Sequence, residues 1–244
     1  MNLHKSSPNF SEGLSSSVSK QKFSDAEKFT VPGPGLGPVN RATLVRDPKH
    51  LGFTLARYKF VAKMFAGKSS VFEVGCHEGT GSLVVASEVG ELTAMDFQEQ
   101  TIAWCKDEYT QFYQNISWVA ADAMCGIPPS KSGSTQYDAG YLLDVLEHID
   151  PGQEVDFLNA IVNSLNSRGS LIVGIPSLES QPYASPVSKV QHINCKTLDD
   201  LRSLMLNFFD NVFMFGMNDE VLHVGFSKMC HYIFALGVGL KLRS

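Results

Sequence analysis

The chain is poor in the features that mark several classes of protein. Its five cysteines, Cys76, Cys105, Cys125, Cys195 and Cys230, form no C-x-x-C pair. An odd number at wide spacing disfavours a disulfide scaffold or a zinc site and favours a reduced, cytoplasmic chain. There is no excess of basic charge: 20 Lys and Arg face 25 Asp and Glu, a net charge of −5. That balance disfavours a nucleic-acid partner. The opening "MNLHKSSPNFSEGLSSSVSK" has no apolar stretch, so a secretory signal is not expected. The longest apolar run, near "YIFALGVGL", is too short to span a bilayer, and no membrane partner is expected. No internal repeat is visible. The 244 residues, 43% of them hydrophobic, suit one α/β domain with an extension, or at most two small domains.

What is present is an alternation. Residues 1–45 are rich in Ser, Pro and Gly, as in "SSSVSK" and "VPGPGLGP", and read as a flexible arm or lid. Residues 46–244 read as a single domain. "HLGFTLARYKFVAKMF" places Leu51, Leu55, Tyr58, Val61, Ala62 and Phe65 on one helical face. Strands follow at "SVFEVG", "ELTAMD", "ISWVAAD", "YDAGYLLD" and "SLIVGIP", with helices between most of them. Asp150 is expected to cap a helix with Pro151 at its first position, and Thr197 to cap "LDDLRSLMLNFF". "NVFMFGM" and "HYIFALGV" read as a closing antiparallel hairpin. Strands alternating with helices imply a mostly parallel sheet covered on both faces.

The stretch "VFEVGCHEGTG" sets a strand against a Gly-rich turn that opens a helix. In doubly wound folds, ligands sit at such strand ends. A dinucleotide fingerprint needs glycine at the second position, where this chain has His77. Glu78 would also face the diphosphate. The turn therefore suits a ligand with a carboxylate, an amine and a nucleoside but no phosphate. The helix start near Thr80 can donate to the carboxylate, and Glu73 can attract the ammonium group. Asp96, ending the second strand, can accept both ribose hydroxyls. Asp122, after the third, can accept from an adenine amino group. Asp144 ends the fourth beside the place of reaction.

Glu73-x-Gly75-x-x-x-Gly79, Asp96, Asp122-Ala123 and "DVLEHI" together resemble the motifs of class I S-adenosylmethionine-dependent methyltransferases of the small-molecule type. The resemblance covers residues 51 to 237. It implies a Rossmann-like α/β sheet of seven strands, the last antiparallel, with helices on both faces. It also implies S-adenosylmethionine as cofactor. Gly75, Cys76 and Gly79 would lie under that cofactor. Asp96 with its neighbour Phe97 would hold the ribose side, Asp122 and Ala123 the adenine, and Leu143 and Asp144 the methionine part. In related enzymes the helix carrying Arg57 and Tyr58 closes over the cofactor. Arg57 would then meet the methionine carboxylate and Tyr58 the sulfonium, a cation–π contact of roughly 0.5–2 kcal/mol. His77 departs from the glycine usual there.

Methyl transfer is mainly positioning, but a hydroxyl acceptor also needs a base. His148 and His192 are the candidates. His192 falls in the segment 175–196 that roofs the acceptor site in such folds. Asp144, Glu147 and His148 are close in sequence, but a metal-free reading is simpler. The acceptor is expected to be a small molecule such as a sugar, a nucleotide-linked sugar or another metabolite. A homodimer is one option for the assembly. Blander roles stay open: the three glycines for a tight turn, Asp96 as a helix cap, Asp122 as a turn residue, Cys76 as packing and Arg57 as a solvated cation. An NAD-dependent oxidoreductase and a catalytically inactive cofactor-binding module are the competing readings.

Overall fold

The computed structural model describes residues 33–241, so most of the expected arm, residues 1–32, lies outside the described residues. Two helices come first, α1 (Pro38–Arg46) and α2 (Pro48–Met64), each with proline in its first turn, where the missing N–H costs nothing. Helix α1 thus occupies sequence expected in the arm. Five strands then run parallel: β1 (Ser70–Val74), β2 (Glu91–Asp96), β3 (Ile116–Ala120), β4 (Tyr137–Leu143) and β5 (Leu165–Pro176). Helices α3 (Thr80–Ala86) and α4 (Glu99–Tyr109) connect the first three strands, and α5 (Glu154–Val162) connects β4 to β5. After β5 come the short α6 (Pro186–Gln191), α7 (Leu198–Met205), β6 (Phe209–Asn218), β7 (Val221–His223) and β8 (Tyr232–Leu240).

The strand order is β3-β2-β1-β4-β5-β8-β6-β7. Strand β8 inserts antiparallel between β5 and β6, pairing Ile172 with Leu236 and Phe213 with Leu236. The expected closing hairpin is thus present. Among the described residues the sheet has eight strands where seven were expected. The extra one, β7, pairs only three residues with β6 after a turn in which Asp219 takes φ +50°. Three residues are too few to carry a period.

Strand β1 is buried at all five positions, which marks a central strand covered on both faces. Alternate side chains feed two cores. Val71, Ala139 and Ile172 pack with Val61, Val85 and Ile102 under α2, α3 and α4. Phe72, Leu142 and Val173 pack with Leu158, Ile161 and Leu201 under α5 and α7. Thr197 caps α7 as expected, accepting from Asp200 N at 3.1 Å. Helix α5 starts later than expected. The Asp150 carboxylate accepts from Gly152 N at 2.7 Å, a local turn that delays the helix to Glu154. Among the described residues, no helix is long and apolar enough to cross a membrane.

The chain order reverses between β1 and β4, both neighbours at the centre of the sheet. At that switch point the loops after the two strands diverge and leave a crevice beyond their carboxyl ends.

Candidate active site

The turn after β1 holds three left-handed residues within five: Gly75 (φ +79°), His77 (φ +46°) and Gly79 (φ +69°). Glycine takes this conformation freely, whereas His77 does so at a cost of order 1 kcal/mol. The turn is tied to β2, since Gly75 N and Cys76 N both donate to Met95 O, at 2.8 and 3.0 Å. The glycines also allow close packing. A Cβ at Gly75, Gly79 or Gly81 would lie 2.4 Å from Val145, 2.5 Å from the Trp118 ring or 2.3 Å from the Tyr58 ring. Cys76 is buried, and burial first, then Glu73, raises its pKa well above the usual thiol value. It is packing rather than a nucleophile.

Asp96 is buried and joins two segments. One oxygen accepts from His77 N at 3.0 Å and the other from Gln98 N at 2.9 Å. An ionised carboxylate has about four acceptor positions, so two lone pairs remain for a ligand. Next to it, Phe97 is 74% exposed. Asp122 caps the turn Ala123–Cys125, accepting from Met124 N at 2.9 Å, and Ala123 is buried beneath.

Glu78 does not project freely toward a ligand. Its carboxylate accepts from Val39 N (2.7 Å), Asn40 N (2.9 Å) and Asn40 Nδ2 (3.0 Å), capping α1 from across the turn. The Asn40 amide also donates to Thr80 Oγ1 at 3.0 Å. Helix α1 is thereby pinned over the Gly-rich turn. Glu73 lies beneath the turn and accepts from the Ser82 hydroxyl. Burial pushes its pKa up to about 7, opposed in part by that hydroxyl.

Arg57 does not face solvent. Its Nη1 lies 2.8 and 3.1 Å from the two oxygens of Asp144, and its guanidinium stacks 3.9 Å from the centroid of the Tyr232 ring. Burial opposes the charge on Arg57, but its neighbours together, Asp144 foremost, raise the pKa. Asp144 itself sits at φ +56°, where β4 gives way to its loop. Tyr58 is edge-on to Tyr141, with ring centroids 6.3 Å apart.

These groups border a cavity of about 180 Å³ whose lining includes Tyr58, Gly75, Gly79, Leu143 and Asp144, together with Asn40 and Thr54. Whole cofactors usually occupy pockets of roughly 300–1,000 Å³. The enclosed part therefore suits one end of a ligand, and Asp96, Phe97 and Asp122 are not among the residues that line it. Among the described residues the Thr54 hydroxyl is buried without a hydrogen-bond partner, a polar atom suited to a bound carboxylate or amine. It escaped the sequence analysis, although it lies one helical turn before Tyr58 on α2.

The two candidate bases, 44 residues apart in sequence, come together. His148 ends a 3₁₀ turn after β4, His192 follows α6, and their ring centroids are 5.3 Å apart. Burial, then His148, lowers the pKa of His192, which keeps its imidazole neutral at physiological pH. The roof segment is closed at its base, where Leu178 N donates to Lys196 O at 2.9 Å. Asn194 fixes it to the 3₁₀ turn by donating to Glu147 O, also at 2.9 Å. Beneath the histidines, Glu147 is buried completely. Burial, then Asp144, raises its pKa well above the usual carboxylate range.

Residues 71–169 match the family model described as a methyltransferase domain. Similar solved structures include the N-methyltransferase NodS from Bradyrhizobium japonicum WM9 in complex with S-adenosyl-L-homocysteine. It shares 15% identity, with 89% of this chain and 97% of that chain covered and a TM-score of 0.58. A second is the plantazolicin methyltransferase BpumL in complex with S-adenosylhomocysteine and a substrate analogue (12% identity, 92% and 94% covered, TM-score 0.61). A third is the small RNA methyltransferase HEN1 (12% identity, 78% and 26% covered, TM-score 0.62). No curated protein sequence matches the chain. The architecture is the Rossmann-like fold of class I methyltransferases. The methyltransferase-domain model covers about two fifths of the chain, and the solved structures share its fold.

Proposed function

We propose that this protein methylates a hydroxyl group of a small-molecule acceptor, such as a sugar, a nucleotide-linked sugar or another metabolite. The carrying observation is the pairing of His148 with His192, which joins the turn after β4 to the roof segment. An amine or thiolate acceptor would not need a base there, whereas a hydroxyl does. When bound, S-adenosylmethionine supplies an electrophilic methyl group on a sulfonium centre. Gly75, Cys76 and Gly79 would form the floor beneath it, and Thr54, Tyr58, Leu143 and Asp144 the walls around its amino-acid end. Asp96 and Phe97 would hold the ribose side, with Asp122 and Ala123 at the adenine. Glu73 supports the turn from below, and Arg57 holds Asp144 in place. His148 and His192 would promote the loss of the acceptor proton. The five free cysteines agree with a reducing, cytoplasmic setting.

Asp96→Asn is expected to weaken binding of S-adenosylhomocysteine by about 1–3 kcal/mol, the range for a hydrogen bond to a charged group. Calorimetry that returned the wild-type dissociation constant would remove Asp96 from the site. The acceptor class is tested by methyl transfer over a panel of sugars, nucleotide-linked sugars, amines and RNA. Turnover on amines or RNA alone would overturn the hydroxyl, small-molecule reading.

A further inference from the structure

Glu147 has no visible reason to be where it is. Its side chain is fully buried, and neither carboxylate oxygen has a hydrogen-bond partner among the described residues. The bond from Asn194 goes to the backbone carbonyl of Glu147 and leaves the carboxylate untouched. The basic group nearest to Glu147 Oε1 is His148, whose Nε2 lies 4.0 Å away. A buried, unpaired carboxylate is among the costliest groups a fold can carry.

Both histidines have their outer nitrogen committed. His148 Nδ1 lies 3.0 Å from the backbone oxygen of Gln191. A carbonyl only accepts, so Nδ1 carries the hydrogen and Nε2 of the neutral ring keeps a lone pair. His192 Nδ1 lies 3.0 Å from Gln181 Oε1. The orientation of that amide is fixed independently, because Gln181 Nε2 donates to Ser177 O at 3.1 Å. The oxygen therefore faces His192, and its Nε2 is free as well. An imidazole that donates from one nitrogen to a carbonyl and offers the other is the arrangement that orients metal-binding histidines.

One ligand atom each from Glu147, His148 and His192 lies within 4.8 Å of the other two. We propose that these three residues bind a divalent transition-metal cation on the acceptor side of Asp144. Two imidazoles and one carboxylate suit manganese, cobalt, iron or zinc better than the oxygen-only sites of calcium or magnesium. Ligands about 2.0–2.2 Å from such an ion stand about 3.4 Å apart, so small side-chain rotations complete the site. His148 is a 41% exposed side chain, which leaves the outer coordination positions open to water or an acceptor. The sequence pointed the other way because His192 is far from the other two in the chain. Only the folded roof segment brings it in.

In one respect this rests on the methyltransferase reading. A hydroxyl that coordinates the cation beside Asp144 loses its proton to solvent at a lower pH, so the imidazoles act through the metal instead of accepting the proton themselves.

The test uses the full chain, stripped with a chelator, and titrates MnCl₂, CoCl₂ and ZnCl₂ separately by calorimetry, with the visible spectrum recorded for cobalt. One cation per chain is expected to bind. His192→Ala and Glu147→Gln should each weaken it at least about 10-fold, and Gln181→Leu should weaken it by a similar factor through loss of ring orientation. Circular dichroism confirms that each variant is folded. Absence of binding for all three cations, or wild-type affinity in His192→Ala and Gln181→Leu, would overturn the site. S-adenosylhomocysteine affinity is measured on the same samples. Cation binding without it would leave the metal site standing and sink the methyltransferase reading, and the converse result would do the opposite.

Discussion

Replacing Arg57 by alanine is expected to cost about 3 kcal/mol of folding stability. The guanidinium is nearly enclosed, with its side chain 15% exposed, and Nη1 reaches both oxygens of Asp144. Breaking such a pair leaves an uncompensated charge, at about 3–5 kcal/mol when both partners are buried. Here Asp144 is 37% exposed, so water screens part of the loss and the lower end applies. The stacking on Tyr232, at 3.9 Å, is lost with it. The same substitution frees Asp144, whose left-handed backbone at φ +56° is held by the contact. Binding of S-adenosylhomocysteine should weaken as well. Arg57→Lys keeps the charge but not the planar guanidinium, and it should recover only part of the stability. Urea denaturation measures all of this. A loss below about 1 kcal/mol would class the contact with ordinary surface ion pairs.

Glu73→Gln is expected to remove a pH dependence of stability worth about 3 kcal/mol. Burial raises the Glu73 pKa from the ordinary 4.5 to about 7. The folded chain therefore holds this proton more tightly than the unfolded chain does. The resulting contribution is complete below about pH 4.5 and falls away as pH rises to about 7. Glutamine stays neutral throughout and still accepts from Ser82. Relative to the variant, the wild type should thus lose stability steadily across that window. Denaturation of both proteins at several pH values gives the difference directly, and groups such as Glu147 cancel because both chains carry them. A difference that does not change with pH would place the Glu73 pKa at its ordinary value.

The acidic positions at the strand ends were legible because each follows a strand with a clear pattern. Asp96 and Leu143–Asp144 stand where the ends of β2 and β4 put them. The partners of those acids were not legible. Asp96 accepts from His77 N, and Asp144 from Arg57, across 19 and 87 positions of chain. Glu78 suggested repulsion of a diphosphate, yet its charge is spent on capping α1, a helix hidden in Gly- and Pro-rich sequence. Three-residue β7 and the late start of α5 were missed for local reasons: too short a period in one case, a competing side-chain turn in the other.

The amino-acid order alone determined the alternation of strands and helices, the Gly-rich turn after β1 and the placing of carboxylates at the sheet's carboxyl edge. Each depends on a period or on a backbone preference that acts over a few residues. Tertiary structure alone decided which groups meet: Arg57 with Asp144, Glu78 with α1, and His148 with His192 above a buried Glu147. Those contacts join segments whose separation in the chain carries no signal, and they exist only because strand order and the closed roof segment bring the segments to one edge.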